Sequence, residues 1–165
     1  MSVNKHRNHI FLLPEDQANR QIANGFITNK NIDGRAIQIL PIANGWTNVV
    51  DEFTNNQTQK MREFPLRMFV LLIDFDRDEN RLSYVKNQIP NELIDRVFIL
   101  GVQSNPEQLK TATHKSFEAI GKTLAQDCSE NRHRQLWQHP LLIHNQPELE
   151  RMTQSVKPFL FRQTS

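Results

Sequence analysis

The chain has 165 residues, 38% of them hydrophobic and 23% charged, with a formal net charge of +2. This length predicts one domain, residues 1–165, and the near balance of charges argues neither for nor against a nucleic-acid partner. One cysteine, Cys128, excludes an internal disulfide, and the first seven residues lack the apolar stretch of a secretory signal, so a reducing cytoplasm is expected. The longest apolar run, Met68 to Ile73, is far shorter than the roughly 20 residues that span a bilayer, so no membrane insertion is expected.

Four short apolar segments, each bounded by polar or turn-forming residues, predict β-strands. They are His9 to Leu13, Ala36 to Ile42, Met68 to Ile73 and Arg96 to Leu100. Stretches with helical spacing lie between them: Glu15 to Phe26, Trp46 to Phe53 and Glu79 to Ile89. The polar segment Thr54 to Lys60 is expected to be a mobile loop. The alternation predicts a three-layer α/β fold, with a mostly parallel four-stranded sheet flanked by helices.

The residues after the fourth predicted strand indicate one long helix and an extension. Asn105 and Pro106 are a typical N-cap and first helical residue, and the helix is expected to continue to about Asp127. The core of the domain then covers about residues 8–127, and a helical C-terminal extension covers about 128–165.

Acidic side chains follow the first and third predicted strands. Glu15 and Asp16 come directly after the first strand, and Asp74, Asp76 and Asp78 come directly after the third. Ligands of open parallel sheets bind at the carboxyl ends of the strands, so these side chains face one crevice if the two strands are neighbours. In an extended chain Asp74 and Asp76 would point the same way.

Several ionised carboxylates in one crevice repel one another, and a divalent cation would balance them. Oxygen ligands without a Cys or His pattern nearby suit Mg²⁺ or Mn²⁺. A structural interpretation stays open, in which Asp78 is the N-cap of the next helix and Glu15 and Asp16 belong to a first helical turn. It explains Asp74 less well, because an unpaired carboxylate at the end of a buried strand is costly.

Three motifs in order carry a family resemblance. Phe11-Leu12-Leu13-Pro14-Glu15 precedes a predicted helix, Asn44-Gly45 follows the second strand, and Val70 to Asp76 ends in Asp-x-Asp. Over about residues 8–101 this order resembles a Toprim domain, in which a glutamate, a glycine turn and Asp-x-Asp follow the first three strands. The chain is similar in particular to small Toprim-like proteins of bacteria and to the nuclease half of the overcoming-lysogenization-defect family.

The resemblance implies Mg²⁺-dependent (or Mn²⁺-dependent) hydrolysis of phosphodiester bonds in nucleic acid. It assigns Glu15 as general acid or base and Asp74 and Asp76 as metal ligands, with Asp78 as a further candidate ligand. Strand passage of the topoisomerase kind needs a nucleophilic tyrosine, and the only one, Tyr84, is expected to pack within a helix. Hydrolysis by a nuclease is therefore the favoured interpretation.

Weaker candidates for contact with nucleic acid are Asp16 and Arg77, beside the acidic groups, and Lys110 and His114, one turn apart on the predicted long helix. The sequence has no Gly-x-x-x-x-Gly-Lys loop, so any ATPase that works with this chain would be a separate partner. The pattern is also compatible with an oligomer.

Two other functions stay open from the sequence. A non-catalytic Toprim-like scaffold that binds another protein has the same pattern of residues. A phospho-receiver domain shares the acidic residues after strands one and three, with Lys157-Pro158-Phe159 as its lysine motif. The spacing argues against the receiver, because Lys157 lies far beyond the fourth predicted strand.

Overall fold

The computed structural model describes residues 2–130 and 135–162, and it confirms the predicted α/β class with a helical C-terminal region. The strands are β1 (His9–Pro14), β2 (Ile37–Ile39), β3 (Arg67–Leu72) and β4 (Val97–Leu100). All of them pair in parallel in the order β2-β1-β3-β4. The first and third strands are therefore neighbours, with Pro14 opposite Leu72.

Helices cover both faces of this sheet. In the described residues they are α1 (Gln17–Ile27), α2 (Trp46–Glu52), α3 (Thr58–Glu63), α4 (Glu79–Gln88), α5 (Pro106–Thr113), α6 (Phe117–Ser129), α7 (Gln146–Ser155) and α8 (Lys157–Leu160). Helices α1 and α5 to α8 pack on one face, and α2 to α4 pack on the other. None of these helices combines the length and apolar character needed to cross a membrane.

Alternation along the strands separates two buried cores. Ile10 and Leu12 of β1 pack against α1 and α6, whereas Phe11 and Leu13 pack against α2 to α4. Burial of both faces explains why the strands are continuous apolar runs rather than alternating apolar and polar residues.

Helices α1 and α6 cross in close backbone contact. A Cβ atom added to Gly25 would lie 2.0 Å from the Glu118 carbonyl oxygen, and one added to Gly121 would lie 1.9 Å from the Ile22 carbonyl oxygen. No side chain fits at either position without a backbone shift. Glycine on both helices thus brings α1, which begins beside Glu15, directly against α6.

The predicted long helix is wrong, because it is two helices. His114 adopts a left-handed conformation, with φ of 56°, and ends α5. Ser116 then starts α6 as its N-cap, since its hydroxyl oxygen accepts a hydrogen bond from the Ala119 amide at 3.1 Å. The predicted start at Asn105 and Pro106 is confirmed, with the Asn105 side chain accepting from the Gln108 amide at 3.0 Å.

Two other segments differ from the prediction by more than one or two residues. The polar segment Thr54 to Lys60 is helical rather than a loop, because it lies within a π-helical segment, Phe53–Gln57, and α3. Strand β2 ends at Ile39 rather than at Ile42. The Leu40 amide still donates to the Leu12 carbonyl at 2.8 Å, but the next donor to β1 is Ala43, which donates to the Pro14 carbonyl at 3.0 Å, so the regular alternation is lost after Leu40.

The C-terminal region covers the free edge of strand β4. The Ile99 amide donates to the Glu148 carboxylate at 2.7 Å, and the Gly101 amide donates to the Asn145 side-chain oxygen at 3.1 Å. Side chains of the C-terminal region therefore satisfy main-chain donors that an edge strand would otherwise expose.

Candidate metal centre at the carboxyl ends of β1 and β3

Three carboxyl groups meet at the sheet edge where β1 and β3 end. One carboxylate oxygen from each of Glu15, Asp16 and Asp74 lies within 4.8 Å of the other two. Glu15 and Asp74 are each only 7% exposed. The parallel pairing of β1 with β3 continues one residue beyond the strands, since the Glu15 amide donates to the Leu72 carbonyl at 2.9 Å. Of the acidic side chains expected to face one crevice, Glu15, Asp16 and Asp74 meet.

The main chain holds Glu15 from two sides. Its carbonyl oxygen accepts hydrogen bonds from the amides of Asn44, at 2.8 Å, and Gly45, at 3.2 Å. Gly45 has a φ of 128°, a conformation that L side chains rarely adopt, so the turn needs glycine there. On the other side, the Asp74 amide donates to a carboxylate oxygen of Glu15 at 3.2 Å. The glycine turn after β2 thus fixes the residue that follows β1.

Asn19 joins the carboxyl groups and was not anticipated from the sequence. Its side-chain amide donates to Asp16 and to Asp74, both at 2.9 Å, and the residue is 4% exposed. Asp16 is the N-cap of α1 rather than a first-turn residue, because its carboxylate also accepts from the Asn19 main-chain amide at 2.9 Å. The spacing Asp-x-x-Asn at a helix start was the available signal for this contact.

Burial sets the charge state of the pair. Burial first, and then the hydrogen bond with the Glu15 carboxyl, raise the pKa of Asp74 to about 8, although the Asn19 amide acts in the opposite direction. Burial likewise raises the pKa of Glu15, while its hydrogen bonds with Asp74 act against this rise. Because like charges this close resist joint ionisation, the pair retains a proton near neutral pH when no cation balances it.

Asp76 and Asp78, the other predicted ligands, lie outside this group of three. Asp76 and Arg77 are left-handed, with φ of 47° and 58°, so the chain after Asp74 is not extended as expected. The Asp76 carboxylate forms an ion pair with Arg81 at 3.0 Å and is 56% exposed. Asp78 is the N-cap of α4, as the structural interpretation predicted, and accepts from the Asn80 amide at 3.0 Å.

Arg81 is a second residue that the sequence did not reveal. It donates to the Asp74 carbonyl oxygen at 2.5 Å as well as to Asp76, and its guanidinium lies 4.6 Å from the ring centre of Trp46. The Trp46 ring in turn meets Tyr84 edge to face, with centroids 5.7 Å apart. Tyr84 is 51% exposed rather than packed inside. Arg81 therefore ties the turn after β3 to the start of α2.

The weaker nucleic-acid candidates lie apart from the three carboxyl groups. Arg77 is exposed and contacts Gln108 at 3.5 Å. Lys110 lies over the ring of Phe117, 4.9 Å from its centre, and His114 is the left-handed residue that ends α5. Asp16 alone among the four belongs to the acidic group.

The donors at this edge fit a hard divalent cation. Glu15, Asp16 and Asp74 offer only carboxylate oxygens, which are the ligands that Mg²⁺ and Mn²⁺ prefer. Burial is the main cause of the raised pKa of Asp74, and a bound cation would favour the ionised form of this buried carboxyl group. The predicted metal site is therefore supported at the level of a buried acidic cluster able to hold an ion.

Comparison with known proteins found no matching family model, no similar curated protein and no similar solved structure.

Proposed function

We propose that this protein is a metal-dependent nuclease that hydrolyses phosphodiester bonds in nucleic acid with Mg²⁺ or Mn²⁺ at the Glu15, Asp16 and Asp74 group. The observation that carries the proposal is the burial of Glu15 and Asp74, which come from neighbouring strands and lie together at the carboxyl edge of the sheet. Two carboxyl groups this close and this buried lower the stability of the folded chain, so a role in stability does not explain their placement. Perturbed carboxyl groups at this edge are typical of functional sites in open α/β sheets.

The residues divide between holding the cation and moving the proton. Asp74 and Asp16 would hold the cation, with the Asn19 amide fixing both carboxylates. Bound there, the cation would neutralise charge on the phosphate. Glu15, fixed by the Asp74 amide, would take or give the proton, and its raised pKa brings it nearer to the pH at which a general base works best.

Asp76 has a peripheral part in this proposal. Its charge is close enough to contribute to the raised pKa of Glu15, although its carboxylate is paired with Arg81. Asp78 caps α4 and needs no further role. Nucleic acid as substrate and a separate ATPase as partner rest on the resemblance to Toprim proteins, and a scaffold role is the alternative.

Cleavage assays with matched variants test the proposal. Supercoiled plasmid, single-stranded circular DNA and RNA are incubated with the protein and Mg²⁺ or Mn²⁺, with EDTA as the blank. Wild type is expected to nick at least one of them, and Asp74→Asn and Glu15→Gln are expected to lose activity by about 100-fold or more. Asp95→Asn, at an exposed position, is the control and should retain wild-type activity.

Equal cleavage by wild type and Asp74→Asn would show that the activity comes from elsewhere. No cleavage of any substrate, together with no Mn²⁺ binding by calorimetry, would favour the scaffold instead.

A further inference from the structure

An apolar cavity lies between the sheet and the helices on the α1 and α6 side. Its volume is about 130 Å³. Ile10, Leu12 and Val70 form its floor on the sheet, and Leu124 of α6 and Leu149 of α7 are part of its walls. The cavity belongs to the core described above and is separate from the carboxyl oxygens of the acidic group.

The polar side chains of the wall already have partners. Asn19 donates to Asp16 and Asp74, and Asn145 donates to the carbonyl oxygens of Gly101 and Leu142. The remaining polar wall residues are likewise engaged: the Thr153 hydroxyl donates to the Leu149 carbonyl at 2.8 Å, and Cys128 and Lys157 also have partners. An occupant would therefore meet hydrocarbon and satisfied polar groups.

A void of this size and character favours one kind of occupant. Wall atoms next to empty space lose their dispersion contacts, so an occupant that restores them binds favourably. Water needs two to four polar partners, and a dry cavity of about 150 Å³ lined by Leu, Ile and Phe is known to bind benzene. The volume found here is close to that size.

Part of the cavity wall consists of residues that are half-buried rather than fully buried. Phe26 of α1, Met152 of α7 and Cys128 of α6 line the cavity and are each partly exposed. In the proposal below, a small molecule would enter past these partly exposed side chains.

We propose that this cavity is a binding site for a small uncharged apolar molecule, of the size of a single aromatic ring or a short alkyl chain. The proposal does not depend on the nuclease activity.

Toluene is the probe for this site, and methyl NMR of the whole chain is the measurement. Saturable shifts are expected for Leu12, Leu124 and Leu149, and no shift is expected for Val49 and Val50 in the opposite core. Shifts that never saturate, or that are equal in the two cores, would show non-specific partitioning and overturn the proposal.

A filled-cavity variant is the direct control. Ala23→Leu places three more carbon atoms in the wall of the cavity, whereas Ala112→Leu makes the same change at an exposed position of α5. Binding should be lost in the first variant and unchanged in the second. Undiminished binding in a folded Ala23→Leu protein would place the toluene elsewhere.

The single cysteine gives a test that needs no variant. Cys128 lines the cavity, so bound toluene should protect its thiol from methyl methanethiosulfonate. At a toluene concentration of ten times Kd the reaction should slow by about 11-fold, because only the free protein reacts. An unchanged rate at saturation would count against the site.

Discussion

The acidic edge of the sheet has two halves with the same residue type and opposite surroundings. Asp74 is buried beside Glu15 and is held by the Asn19 amide. Asp76, two residues later, is 56% exposed and is paired with Arg81. The left-handed backbone at Asp76 separates the two side chains. Residues that look equivalent in the sequence therefore have different surroundings, and burial raises the pKa of Asp74 to about 8.

The buried half, Glu15 and Asp74, and the exposed half, Asp76 and Asp78, therefore differ in their electrostatic cost to the folded state. The buried half keeps repelling carboxyl groups together, a cost that a cation or a proton can relieve. In the exposed half, Asp76 forms an ion pair with Arg81 and Asp78 caps α4, so neither charge needs a ligand. Metal chemistry should therefore depend on the buried half, whereas local stability should depend on both.

The largest expected effect is on cation binding. Asp74→Asn keeps the shape of the side chain but removes its charge, so Mn²⁺ affinity at pH 8 should fall by about 100-fold. Asp76→Asn should change it by less than about threefold. Isothermal titration calorimetry measures both. Similar losses in the two variants would mean that Asp76 is a ligand and that the two halves act as one site.

The second effect is a dependence of stability on pH. Burial raises the pKa of Asp74 to about 8 from its ordinary value of 3.8, so between these values the folded state holds a proton that the unfolded state has lost. The contribution of Asp74 to the free energy of unfolding is therefore complete below about pH 4 and is lost as pH rises towards 8. The free energy of unfolding is measured with denaturant in EDTA for wild type and for Asp74→Asn across this pH range. The difference between the two proteins gives the contribution of Asp74.

Cation binding should show the opposite trend with pH. The shared proton must leave before the carboxylates bind an ion, so Mn²⁺ affinity should rise between pH 6 and 8. The stability prediction of the preceding paragraph fails if the unfolding free energies of wild type and Asp74→Asn vary identically with pH. Asp74 would then be ionised in the free protein.

A third effect concerns Arg81, which donates hydrogen bonds to both halves. Arg81→Met keeps the aliphatic part of the side chain but removes the hydrogen bonds to Asp74 and Asp76. The free energy of unfolding should fall by about 1–3 kcal/mol. Arg77→Met, at an exposed position in the same turn, should change it by less than about 0.5 kcal/mol. Equal effects in the two variants would show that Arg81 has no special part in holding the turn.

The smallest effect is expected at the helix start. Asp78→Ala removes the N-cap of α4 and should cost about 1 kcal/mol in thermal or denaturant unfolding. Asp78→Asn should be nearly neutral, because asparagine is an equally good N-cap. A large loss of cation binding in Asp78→Asn would restore Asp78 as a ligand.

Local signals in the sequence were enough for the four strands, for several helix starts and for part of the site. The apolar runs predicted the strands, Asn105 and Pro106 predicted the start of α5, and Asp78 was anticipated as a cap. The break at His114 was missed, because the left-handed residue has no distinctive side chain and Ser116 is a common surface residue. Asn19 was missed because its importance depends on Asp74, 55 residues away.

The sequence by itself determined the α/β class and the placing of acidic residues after two strands, since apolar runs and helix periodicity are properties of neighbouring residues. Only the tertiary structure decided that β1 and β3 are adjacent, that Glu15, Asp16 and Asp74 meet, and that Asp76 turns to Arg81. Burial and strand order depend on the whole chain. The same fold also leaves an apolar cavity between the sheet and the helices on the α1 and α6 side, which no short sequence pattern encodes.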